Sequence, residues 1–282
     1  MRFSEREAER GQRLTVMKPP AMRPSLGLSE VWEYRELLSF LIWRDIKIRY
    51  KQTALGVLWA VLQPALTTLI FALIFSRVSQ FSSSDTPYIL FVLSGLLVWL
   101  FIFNGVGFGA NSLLVNVSLI TKIYFPRVII PVSAVLAGTL DLLIGLVIFF
   151  AVSVFWGIFP TFWTLLAPLF LLQTLLLTMS LGVILSALNV RFRDVKFAIP
   201  LMLQIWMVLS PIFYPTNIVP ESIRPFTALN PVVGIVEGFR ATLFGGPFDV
   251  HAIGVSVAVT FCLFVISLYV FRQMEDSFAD LI

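Results

Sequence analysis

Chemistry in this chain could begin at Asp141, the one acid well inside a long apolar run, with Ser133 and Thr139 close by in sequence. An ionised carboxylate in hydrocarbon is costly unless it faces protein or water. Two readings stand open: a functional group on a path through the membrane, or an acid hydrogen-bonded to a neighbouring helix or a loop cation. A second candidate is the cation cluster Arg44, Lys47, Arg49 and Lys51, just ahead of the first apolar run. Beside an apolar entrance such a cluster suits an anionic lipid head group; the alternative is interfacial charge with no ligand. Other chemistry is absent. No Lys follows a Gly, so there is no GxxxxGK[ST] loop to cradle a nucleotide's phosphates. His251 and Cys262 are the only residues of their types, and with no partners at ligand spacing they predict no metal site and no intrachain disulfide. No cofactor is expected.

The elements that must position these groups are membrane helices. A hydrophobic fraction of 58% with only 13% charged residues over 282 positions, and a mean hydropathy of +0.92, leaves too little polar cover for a soluble domain. Runs long enough for a core needing about 20 apolar residues occur at about 57–75, 88–108, 131–155, 163–188, 197–213 and 252–271. With these six marked as spans, all 20 Lys and Arg except Arg77, Arg224 and Arg240 fall on one side. Cytoplasmic loops retain cations, so both termini are predicted to be cytoplasmic. The net charge of +4 reflects that basic side, which meets anionic lipids and gives no sign of nucleic acid binding. The first 28 or so residues are charged and lack the apolar core of a signal peptide; they read as a flexible cytoplasmic arm, with residues 29–282 forming one membrane domain.

Between arm and first span, residues 29–52 place Val31, Tyr34, Leu38, Leu41, Ile42 and Ile46 at helical spacing, opposite Glu33, Glu36, Arg44, Lys47 and Lys51. That pattern predicts an amphipathic helix lying flat in the interface, with Trp32 and Trp43 at its boundary. Residues 214–249 are apolar yet broken by Pro220, Pro225, Pro231, Gly245 and Gly246. They are too interrupted to span and read as a re-entrant helical hairpin on the outer side. Gly105 and Gly109 form a GxxxG that permits close helix packing. Phe, Tyr and Trp make up 14% of the chain; besides lipid contact and interfacial belts, aromatic faces suit a pore along which sugar rings slide.

Four strings carry a resemblance: WRDIKIRYKQTALGVLWAVLQPALTTLIF at 43–71, LITKIYFPRVIIP at 119–131, ALNVRFRDVKFAIP at 187–200 and NPVVGIVEGFR at 230–240. With the six-span plan, the chain resembles the permease subunit of bacterial ABC exporters of O-antigen, capsule or teichoic-acid polysaccharides. The resemblance implies a type 2 ABC transmembrane domain in the cytoplasmic (inner) membrane. It implies a homodimer with two copies of a separate ATPase subunit, moving a polyprenyl-linked polysaccharide. It also implies that a short cytoplasmic helix, with Leu119, Ile120, Lys122, Ile123, Tyr124, Phe125 and Arg127, couples to the ATPase. A second cytoplasmic loop carries Arg191, Arg193 and Asp194, and the cations at 44–51 are candidates to hold the carrier's pyrophosphate. Two other functions remain in view: a membrane-embedded glycosyl- or acyltransferase, and a non-transporting assembly subunit. The transferase would need convergent acid and base groups, whereas Asp85, Glu221, Glu237, Asp249 and His251 are scattered.

Overall fold

Apolar sequence in lipid must satisfy its own backbone, and helices do so within one segment. Among the described residues every regular element of this computed structural model is accordingly helical. Described are residues 28–51, 58–75, 87–192, 194–220, 222, 224–275 and 278. The expected N-terminal arm up to residue 27, most of the polar loop after the first apolar run, and Arg193 and Glu221 lie outside them.

In chain order the helices are α1 (Leu28–Glu33), α2 (Arg35–Lys51), α3 (Leu58–Phe75), α4 (Tyr88–Val115), α5 (Val117–Lys122), α6 (Ile129–Ala137) and α7 (Thr139–Phe155), then α8 (Ala167–Arg191), α9 (Val195–Leu209), α10 (Arg224–Ala228), α11 (Pro231–Phe244) and α12 (Val250–Glu275). Four stretches are long and apolar enough to cross a membrane: Tyr88–Val115, Ile129–Phe155, Phe162–Arg191 and Val250–Glu275. Of the six expected spans, the first and fifth are shorter apolar helices. At 15 residues, α9 reaches about 22 Å against a hydrocarbon core of about 30 Å. It stops short of the expected residue 213 because Ser210 precedes Pro211 and turns extended, with ψ 147; a residue before proline is biased out of the helical region.

The third expected span is one run in sequence but two helices in space. α6 and α7 meet at Gly138, whose N–H turns back to the carbonyls of Leu136 and Val135. Glycine is a poor helix former, and Asp141 then sits in the first turn of α7, where the positive end of the helix dipole favours an acid.

At the centre stands α4, which packs on α8, α6, α3 and α7 and buries Leu90, Leu96, Trp99, Ile102 and Val106. Its contact with α8 passes over the GxxxG pair, where a side chain on Gly109 would meet the Gly182 Cα at 2.9 Å and one on Gly105 would meet Thr178 Cγ2 at 2.5 Å; the GxxxG spacing thus serves helix packing. α11 is buried almost throughout. Its N-terminus is capped by Asn230, which accepts from Val232 N–H at 3.1 Å, and it ends on Gly245 in the left-handed conformation, φ 72. α2 lays Leu41 onto a separate cluster with Leu113, Ile120, Phe125, Ile129 and Phe271, while Trp32 and Trp43 stay exposed.

Candidate functional site

The Gly138 break explains what Arg49 does. Because the Gly138 N–H turns to Val135 O at 3.0 Å, the Ala134 carbonyl loses the donor four residues on that a continuous helix would supply. Arg49 reaches over from α2 and donates one Nη2–H to that carbonyl at 3.2 Å while its Nη1 donates to Asp141 Oδ2 at 2.9 Å. Tyr50, next in sequence, donates its hydroxyl to Asp141 Oδ1. Burial first, and then this bond to a carboxylate, push the phenol of Tyr50 above its ordinary range, so it stays a donor. The Arg49 guanidinium lies 3.9 Å from the centre of the Phe108 ring, a cation–π contact. Of the two readings open for Asp141, the acid bonded to a cation is the one with partners in place.

Arg49, Tyr50 and Asp141 form one wall of a cavity of about 240 Å³ between α2, α3, α4 and α7. Its other polar lining groups are Gln63 and Asn104, with Phe101, Phe108 and Pro64 beside them. The remaining cations of the cluster face elsewhere. Arg44, Lys47 and Lys51 fall at i, i+3 and i+7 and share a helix face; Arg44 pairs with Asp45 at 2.8 Å, and Lys47 and Lys51 are exposed.

The segment expected to couple to a partner divides into a rooted part and a protruding part. Ile120 and Phe125, 7% and 4% exposed, are buried in the cluster beneath α2; Leu119 packs against its edge. Ile123 and Tyr124, at 56% and 93%, project outward with Lys122. Arg127 is part of the root: its N–H donates to Glu275 Oε1 at 2.9 Å and its guanidinium to the Glu275 carbonyl. Glu275 and Glu30 in turn bind Arg272 at 3.0 and 3.1 Å, so this network ties α1 to the end of α12. Arg191 and Asp194 are exposed on the neighbouring connection.

At the opposite end lies an anchor that the sequence reading passed over. The non-helical residues after α9 expose carbonyls that no helix satisfies, and such backbone survives in apolar surroundings only when protein supplies donors. Arg240 of α11 supplies them: Nη1 to Pro211 O at 2.6 Å, Nη2 to Ile212 O at 2.8 Å and Phe91 O at 3.1 Å, and Nε to Ser94 Oγ at 3.3 Å. Tyr88 adds a hydroxyl to Phe213 O at 2.8 Å. Glu237 lies 3.5 Å from the buried guanidinium. Asn230 joins the same knot, accepting from Trp206 Nε1 at 2.9 Å and donating to Ser210 Oγ at 3.0 Å. The signal for Arg240 was a lone cation in an apolar segment; for Gln63 and Asn104 it was a polar side chain inside a span.

Four stretches of helix long and apolar enough to cross a membrane, with a partly polar cavity beneath α2, describe a multi-pass membrane protein. A family described as ABC-2 type transporter matches residues 36–244, and the chain belongs to that family. It is 32% identical over 254 residues to the O-antigen export system permease protein RfbA of Myxococcus xanthus, covering 89% of this chain and 97% of that one. Against RfbA of Klebsiella pneumoniae the identity is 26% over 248 residues, covering 88% and 95% of the two chains. The polysialic acid transport protein KpsM of Escherichia coli is 23% identical over 244 residues, 84% and 93% of the two chains.

Proposed function

We propose that this chain is the permease of an ABC exporter that moves a lipid-linked, O-antigen-like polysaccharide across the bacterial inner membrane, driven by a separate ATPase. The observation that carries this reading is the similarity to O-antigen export permeases over nearly their whole length. The protruding tip at Lys122, Ile123 and Tyr124 supports it, because exposed apolar and aromatic side chains just beyond a rooted helix suit a cleft in a partner. α3 and α9 complete six crossings, both termini and the tip are cytoplasmic, and α10 with α11 re-enter from the outer face. Two copies of the chain face each other and bind two ATPase subunits. The exposed apolar sides of α3 and α9 are available to a second copy or to lipid.

Nucleotide binds the closed ATPase pair more tightly than the open one, and that difference in affinity drives the conformational change. The tip hands the movement to α4 and α6, and the interface helix α2, pinned to α6 and α7 through Arg49, moves with them. Arg44, Lys47 and Lys51 present charge to the carrier's phosphates. No step requires a catalytic group on this chain. Reconstitution with the candidate ATPase in vesicles tests the reading: ATP-dependent appearance of lipid-linked glycan on the far side is expected. Sugar transfer without transport would replace it with the transferase, and neither activity would leave an assembly subunit.

A further inference from the structure

The cavity under α2 contains more polar capacity than the protein uses. Asp141 accepts one bond on each oxygen, from Arg49 and Tyr50, yet a carboxylate offers about four acceptor sites. The side-chain amides of Gln63 and Asn104 line the same space, and among the described residues neither makes a hydrogen bond to protein. Each amide carries two donors and an acceptor oxygen. Pro64, also in the wall, has no N–H, so the carbonyl four residues back is without its helix donor. Gln63 is exposed and Asn104 partly so, and unmet amides are costly against lipid; this wall suits water or a polar ligand. Phe101 and Phe108 stand beside them. Donors and acceptors at the edge of aromatic rings match a pyranose, with hydroxyls around its rim and apolar C–H faces. About 240 Å³ lies below the roughly 300–1,000 Å³ of drug-sized sites, which suits one sugar ring and not an oligosaccharide.

We propose that this cavity is a saccharide subsite: Gln63, Asn104 and Asp141 hold the first sugar of the lipid-linked glycan, with Arg49 the one cation of the α2 cluster in its wall. The assignment rests on the exporter reading above and adds a residue-level determinant of which sugar is accepted. Asp141 is fixed in orientation by Arg49 and Tyr50, so the hydroxyl geometry it can satisfy is restricted. Gln63 and Asn104 come from different helices, α3 and α4, and a movement of one against the other would open the subsite and release the sugar.

Equilibrium binding to the full chain in lipid nanodiscs tests this with three probes: a polyprenyl diphosphate, and the same lipid bearing one glucose or one N-acetylglucosamine. Wild-type protein is expected to bind at least one sugared probe more tightly than the bare diphosphate. The Gln63→Leu/Asn104→Leu variant should lose about tenfold for that probe, the equivalent of one to two hydrogen bonds, and keep its affinity for the bare lipid. Equal wild-type affinity for all three probes, or an equal loss for all three in the variant, overturns the subsite and leaves the exporter reading standing. Failure of wild type to bind any of them overturns the carrier reading, and the subsite with it. If the double variant does not fold, Gln63→Leu alone, at an exposed position of α3, reads the same ratio.

Discussion

Removing the charge of Asp141 should uncouple the interface helix from the helix break, and a double-mutant cycle measures by how much. The pair is 2.9 Å long, with the Arg49 and Asp141 side chains 17% and 33% exposed. Exposed pairs couple by about 0.2–1 kcal/mol, whereas breaking a buried pair costs about 3–5 kcal/mol. With a third of the carboxylate still wetted, we expect a coupling of about 1–2 kcal/mol. Asp141→Asn preserves shape and an acceptor for Tyr50; Arg49→Gln removes the pair and the bond to the Ala134 carbonyl. Thermal unfolding in nanodiscs at one scan rate, followed by tryptophan fluorescence, gives the midpoints of wild type, both single variants and the double. At about 2–4 °C per kcal/mol for domains approaching this size, the double variant should melt roughly 2–8 °C above the value expected from adding the single losses. Strict additivity would mean that the two groups do not act on one another and would refute the coupling of α2 to α7 through this pair. Lys51→Gln, at an exposed position of the same helix, should move the midpoint very little.

Ile123→Ser/Tyr124→Ser should leave the protein folded and abolish co-purification with the ATPase, because both side chains project outward, whereas Phe125→Ser, at 4% exposure, should lower yield itself; retained ATPase binding by the double variant would exclude the tip as the dock. Arg240→Met should destabilise by roughly 3–5 kcal/mol, seen as lost yield or a large midpoint drop, because it strands several carbonyls and Glu237. Arg240→Lys should rescue little, since an ammonium cannot reproduce the planar fork. In a Cys262→Ser background, a cysteine at Ser222 should react with a membrane-impermeant thiol reagent in intact cells and one at Lys122 should not; labelling at 122 would reverse the proposed orientation.

Helix positions were legible where hydropathy alone decides them. The runs at 88–108 and 252–271 each sit inside a longer helix, and the run at 163–188 starts ahead of α8 and stops three residues before its end, because hydropathy marks what lipid must cover and not where hydrogen bonding stops. The fifth run misled for a related reason. Phe213 is apolar, yet the backbone at 210–213 leaves the helix for turns and a bend, and only the Ser-Pro pair at 210–211 carried that information. The candidate site was half legible. Arg49 and Asp141 were each visible as charges out of place, but their pairing, across 92 positions of sequence, depends on where α2 crosses α6. The break at Gly138 that orients both was hidden in an uninterrupted apolar run. The coupling segment shows the same limit: the resemblance marked 119–127 as one unit, and only burial separates its root from its tip.

The two arginines have one physical role at opposite ends of the bundle. An apolar helix needs no help, but wherever this chain departs from helix inside apolar surroundings it strands carbonyls, and a guanidinium with five donors can satisfy several at once. Arg240 closes the gap left by the turn after α9, and Arg49 closes the smaller one left by Gly138. The difference between them is exposure. Arg240 is 5% exposed and saturated by protein acceptors, so it fixes α11 against α4 and the end of α9. Arg49 borders a cavity and shares its carboxylate with Tyr50, so its contacts can be exchanged for those of a ligand. On the proposed mechanism the break at Gly138 belongs to the part that moves, and the knot around Arg240 to the part against which it moves.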